Sequence, residues 1–117
     1  MQRDARKYLH DIAQAADLIV SFTSGKAFAD YQTDAMLRSA VERQLGIIGE
    51  ALAQLVHLDA TIAAKVREYR SIIAFRNILI HGYATVDDRL VWDVVQSKLQ
   101  GLREDVAFLL RELGDGE

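Results

Sequence analysis

Not one of the 117 residues is proline. Where apolar residues also recur at helical spacing over long stretches, that absence favours uninterrupted helices. Tyr8, Ile12, Ala15, Ile19 and Phe22 form one such stripe and predict a first helix from about Asp4 to Thr23. Ser24-Gly25-Lys26 reads as a turn. Leu37, Val41, Leu45, Ile48, Leu52 and Leu55 supply the core face of a second helix. It should start near Asp30 or Thr33, both good N-caps, and fade near His57. Asp59 caps a third helical region, with a short turn and then a main piece from about Glu68 to His81. Asp87 caps the last helix, Val86 and Val91 are placed as a hydrophobic staple, and Leu90, Val94, Leu99, Leu102, Val106, Leu109 and Leu113 follow. Four helices with short connections imply an all-α, up-and-down four-helix bundle, one domain over residues 1–117.

Two glycines interrupt the second helix. Gly46 and Gly49 each cost about 1 kcal/mol of helix stability against alanine, and close packing of another backbone is the reason their spacing suggests.

Several chemistries lack their residues. There is no cysteine, so disulfides and thiolate sites are excluded and a reducing compartment is compatible. His10, His57 and His81 fall on different predicted elements and no Glu-x-x-His pair exists, so neither a zinc nor a di-iron site is expected. No glycine-rich phosphate loop occurs, and no cofactor is expected. His10 and His57 read as solvent-facing. No signal sequence or membrane-length apolar run is visible, which points to a cytoplasmic protein with no membrane partner.

What remains is Arg76-Asn77-Ile78-Leu79-Ile80-His81-Gly82-Tyr83. Arg76 offers a planar cationic fork suited to phosphate, and His81 an imidazole that titrates near neutrality. Gly82 looks like a helix stop in the left-handed conformation. Asn77 and His81, four apart, share a helix face, while Arg76 and His81 lie roughly 140° apart around the axis. One straight helix does not aim both at one point. Either the helix ends by His81, or Arg76 curls round, or a second copy completes the site. Residues 61–83 hold Lys65, Arg67, Arg70 and Arg76 against Glu68 alone, in a chain of net charge −3. An anionic ligand would be steered there, although an exposed basic helix face reads the same way. The apolar residues Ile72, Ile73, Phe75, Ile78, Leu79 and Ile80 spread around several sides of this helix, suggesting a partner surface beyond the core. Arg76 could pair with Glu50 on the neighbouring helix, with simple surface exposure of Glu50 the competing reading.

The same stretch resembles the Arg-x4-His-x-Tyr signature of the HEPN superfamily in its HepT-like branch. The likeness extends over nearly the whole chain. Asp4 to Ile12 resembles that branch's opening helix and Gly25 to Phe28 its first turn. Ala40-Val41 with Ile47-Ile48-Gly49-Glu50-Ala51 resembles the second helix, and Val86-Asp87 with Trp92 the last. The proline and tryptophan usual before the third helix are missing between Asp59 and Tyr69.

The resemblance implies a toxin that is a metal-independent endoribonuclease. His81 would transfer the proton of a ribose 2′-OH, Arg76 would clamp the phosphate, and Asn77 would orient the imidazole or a phosphate oxygen. It implies a homodimer, or a larger assembly built on one, joined through the motif-bearing helix. It also implies a cognate minimal nucleotidyltransferase antitoxin that transfers AMP to Tyr83. Lys65, Arg67 and Arg70 are candidates to guide the RNA backbone, with Tyr69 available for stacking; a solvated helix face is the competing reading. Tyr8, Tyr31 and Tyr69 read as packing or surface residues. The alternative function is a non-catalytic helical dimerisation module that binds a nucleotidyltransferase or presents a substrate to it.

Overall fold

The computed structural model describes residues 2–82 and 86–114. They form helices α1 (Gln2–Thr23), α2 (Phe28–Thr33), α3 (Ala35–Leu58), α4 (Ala60–Ala63), α5 (Tyr69–His81) and α6 (Asp88–Glu112), with no strand among the described residues. The four long helices are the expected bundle.

Side-chain caps set where the helices begin. Asp59 Oδ1 accepts from the amides of Thr61 and Ile62, and Asp87 Oδ1 accepts from that of Arg89, as the sequence predicts. The second long helix starts later than expected. Its N-cap is Asp34, which accepts from the Leu37 amide at 3.1 Å. Asp30 instead sits inside the short α2, where its carboxylate accepts from the Ala27 amide at 2.8 Å. After α1, Gly25 takes φ +73°, the left-handed turn that glycine tolerates best.

Helix α3 is central. Helix α1 packs on it and also on α6, α5 packs on α3, and α2 bridges α3 and α6. Helices α1 and α6 are antiparallel. Arg6 near the start of α1 donates to the Gly114 carbonyl after α6, while Arg103 pairs with Asp17 further along α1. Leu9, Ile12 and Ile19 meet Val41, Ile48, Leu52 and Leu55 with no exposure above zero, and no buried polar or charged residue interrupts this core among the described residues.

The start of α6 is rotated relative to the expected stripe. Leu90 is exposed, while Val91, Trp92 and Val95 are buried. Helix α2 is the cause. Its fully buried Tyr31 places its ring 5.3 Å from that of Trp92, drawing that side of α6 inward. Burial pushes the Tyr31 phenol far up, and its hydroxyl finds no partner among the described residues.

Between α4 and α5 the chain is tied to α6 by charge. Arg67 gives its amide, Nε and Nη2 to the two carboxylate oxygens of Asp105, at 2.9–3.0 Å. Glu68, in the left-handed region at φ +60°, pairs with Lys98, and Lys65 reaches Glu112 at 4.0 Å. The Arg67 hydrogen bonds hold the Asp105 carboxyl below its usual range. A lowered folded pKa stabilises above the unfolded value of about 4 and is lost as pH falls through the folded value. Asp105→Asn should therefore destabilise the bundle by about 1 kcal/mol at pH 7 after solvent screening, with the difference from wild type closing as pH falls through the folded value. Urea unfolding along a falling pH series checks this.

Among the described residues no helix is long and apolar enough to cross a membrane.

Candidate functional site

The motif helix runs unbroken to His81, where the Gly82 amide donates to the Ile78 carbonyl at 2.8 Å. Gly82 ends the helix as expected but at φ −108°, not in the left-handed region. The helix thus ends at His81, as one of the alternatives had it, yet His81 itself still lies within it. Arg76 turns toward α3 and His81 does not. Arg76 is partly buried beside α3, whereas Asn77 and His81 are exposed on the outward face of α5.

Helix α3 gives Arg76 its place. The Arg76 stem lies over Gly49, where an added Cβ would come within 2.4 Å of the Arg76 Cβ. One step on, Glu50 Oε1 meets Arg76 Nη2 at 2.6 Å, so of the two readings of Glu50 the ion pair is the one that forms, with the carboxylate still half exposed. Gln54 braces that carboxylate from the next turn, donating to Oε2 at 3.0 Å. The reason for Gly49 is thus a side chain of α5 rather than its backbone. Asn77 Oδ1 accepts from Arg76 Nη1 at 3.4 Å, so in this structure it touches the arginine.

Arg76 stands on the wall of an open groove of about 590 Å³. Its floor is the outward side of α3, and α1 and α5 rise on either side. Ser39, Arg43, Gly46, Glu50 and Gln54 form the floor, at spacings of three and four. Tyr8 and Asp11 stand on the α1 wall, and Arg76, Leu79 and Ile80 on the α5 wall. Sequence reasoning passed over this floor, though its spacing is regular. A polar stripe opposite a core stripe looks like a solvated face until the neighbouring helices are placed. Glu42 also reaches the groove, and its carboxyl is pushed up by burial first and by Asp88 second, with Arg38 pulling the other way. Gly46 is not there for close packing: an added Cβ would meet nothing within 4 Å.

The other candidate residues are spread out. Lys65 and Arg67 are paired with α6 acids, as described above. Arg70 lies on the same outward face as His81, with Nε donating to Tyr69 Oη at 3.1 Å. Tyr8 and Tyr69 are half-buried, and His10 and His57 are exposed. Tyr83 lies outside the described residues. Ile78 and Ile80 are both about half exposed on opposite flanks of α5, so the helix keeps apolar surface that its own bundle does not cover.

The model of the family described as "Ribonuclease HepT-like" matches residues 12–109. The chain belongs to this family. It is 35% identical over 103 residues to "Probable ribonuclease HepT" of Thermococcus cleftensis, covering 88% of this chain and 93% of that one. It is 30% identical over 108 residues to "Putative RNase MJ1380" of Methanocaldococcus jannaschii, covering 92% of this chain and 98% of that one. Its 113 residues similar to "Gamma-glutamylcyclotransferase and putative RNase MJ0434" of the same organism make up half of that protein, at 32% identity. No solved structure matches. The HepT-like relatives support a ribonuclease-type function, and the all-helical bundle agrees with the HEPN fold.

Proposed function

We propose that this HepT-like chain is a metal-independent endoribonuclease, the toxin of a toxin–antitoxin pair. RNA carries its own nucleophile, the ribose 2′-OH. His81 removes its proton, the oxygen attacks the adjacent phosphorus, and the bond to the 5′-oxygen of the next nucleotide breaks, that oxygen taking a proton back from solvent or the imidazolium. The products are a 2′,3′-cyclic phosphate and a free 5′-hydroxyl, so water is not consumed. Arg76 stabilises the charge on the phosphorus-bound oxygens.

One observation carries the reading. On a single unbroken helix Arg76 is held against α3 by Gly49 and Glu50, while the exposed His81 imidazole points around the helix away from it. Two copies joined through α5 resolve this, the guanidinium of one meeting the imidazole of its partner, and Ile78 supplies apolar surface for the contact. Replacing the 2′-OH beside the scissile bond by hydrogen abolishes cleavage on this account, with chelator present throughout. Persistent cutting of the deoxy-substituted RNA defeats the mechanism.

The partner is a minimal nucleotidyltransferase that moves AMP from ATP onto the Tyr83 oxygen. The added phosphate would repel the phosphates of RNA. Mass spectrometry after incubation with the transferase and ATP should place the adduct on Tyr83; an adduct confined to Tyr8, Tyr31 or Tyr69 contradicts it. The Arg76–Glu50 ion pair would also suit a non-catalytic dimerisation module, and the same cleavage assay decides between the two.

A further inference from the structure

Gly46 stands in the middle of a 24-residue helix, where glycine weakens the helix and alanine would strengthen it. Packing gives no reason for it, since an added Cβ would meet nothing within 4 Å. Three residues on, Gly49 does have such a reason, in the stem of Arg76. Gly46 does something else: it lowers the middle of the groove floor, between Arg43 on one side and Glu50 with Arg76 on the other. A missing side chain that costs the fold stability and leaves open space marks a place where something approaches the backbone closely.

The groove's chemistry says what approaches. Arg43 lines it, and no carboxylate lies within ion-pair distance of its guanidinium among the described residues. Arg76 stands about two turns further along α3, at the level of Glu50. Tyr8 offers a half-buried ring on the opposite wall. The carboxylates of Asp11, Glu42 and Glu50, one more than the two arginines, would repel a run of phosphates but accept from hydroxyl and amino groups. The volume, about 590 Å³, lies in the usual range for small-ligand sites. Two cations, a ring and acceptors in a space of this size fit one nucleotide unit and do not fit a length of backbone.

We infer that the groove between α1, α3 and α5 binds a single nucleotide of the RNA next to the cleaved linkage, with its backbone phosphate at Arg76, the following phosphate at Arg43, and its sugar and base over Gly46. The site rests on the ribonuclease reading above and adds a subsite to it.

Gly46→Leu puts a side chain into the groove from a Cβ that meets nothing within 4 Å. The probe is a fluorescent 2′-O-methyl RNA octamer of mixed sequence, which binds but supplies no nucleophile. Anisotropy titrations should show binding to Gly46→Leu weakened at least tenfold and to Arg43→Ala several-fold, while Gly46→Leu melts at or above the wild-type temperature. Equal binding by wild type and Gly46→Leu overturns the subsite. So does a change in particle mass by light scattering for Gly46→Leu, which would assign the groove to a second copy of the chain. The two readings fail separately. Wild type that binds the octamer through Gly46 but never cuts unmodified RNA defeats the endonuclease and leaves the subsite. Cleavage and binding indifferent to Gly46→Leu defeat the subsite alone. Wild type that neither binds nor cuts defeats both.

Discussion

His81→Ala should slow RNA cleavage by about 10²–10⁴-fold, the usual contribution of a positioned acid or base. The fold should be untouched, because His81 is exposed in the last turn of α5 and substitutions at such positions usually change stability by less than about 0.5 kcal/mol. Arg76→Ala should lose a comparable amount by removing the phosphate clamp. The more telling experiment mixes the two inactive proteins. If the arginine of one protomer serves the histidine of its partner, a mixed dimer holds one intact site and one doubly damaged site. With random exchange of subunits the mixture should recover about a quarter of wild-type cleavage. A site built within one chain has no such route, because every protomer in the mixture lacks one of its two groups. Rates from a quenched fluorescent RNA, read before and after the proteins are combined, distinguish these outcomes.

How far the sequence reached depends on whether the signal was local. Asp59 and Asp87 were legible as caps because each accepts hydrogen bonds two or three residues ahead. The core of α3 was legible because Val41, Leu45, Ile48, Leu52 and Leu55 hold one phase for its whole length. Helix α2 was not, since six residues are too few for a periodic pattern and Asp30 and Asp34 are equally good caps by type. Missing α2 also misplaced the inward side of α6, because Tyr31 rather than α6's own pattern decides that Trp92 turns in. The basic stretch looked like a field for anions. In the fold Arg67 meets Asp105, 38 residues away, and Lys65 meets Glu112, pairings that no local pattern announces. The motif itself was legible, while Glu50 was legible only as one of two readings, the partner of Arg76 or an exposed side chain. The groove was not, because what turns a polar stripe on α3 into a floor is the position of α1 and α5 beside it.

Gly49→Ala should reverse the usual benefit of removing a glycine from a helix. The helix gains about 1 kcal/mol from the substitution. Against that, the new methyl would lie 2.4 Å from the Arg76 Cβ and 3.0 Å from its Cγ. Those atoms belong to the base of the side chain, so rotating the far end of Arg76 does not relieve the contact. Helix α5 must move away from α3, and forced overpacking of this kind costs about 1–3 kcal/mol. The net result should be a loss of up to about 2 kcal/mol, whereas Gly46→Ala, with open space around its new methyl, should gain about 1 kcal/mol. Urea unfolding of the two variants side by side reads the difference in sign. Cleavage should fall much further than stability in Gly49→Ala. A shift of about 1 Å in a group that positions the substrate can cost 10²-fold in rate, and the guanidinium would lose the geometry that Glu50 and Gln54 fix. If both glycine variants prove equally stable and Gly49→Ala cuts RNA at the wild-type rate, α3 does not set the position of Arg76, and the clamp must be held by something other than this contact.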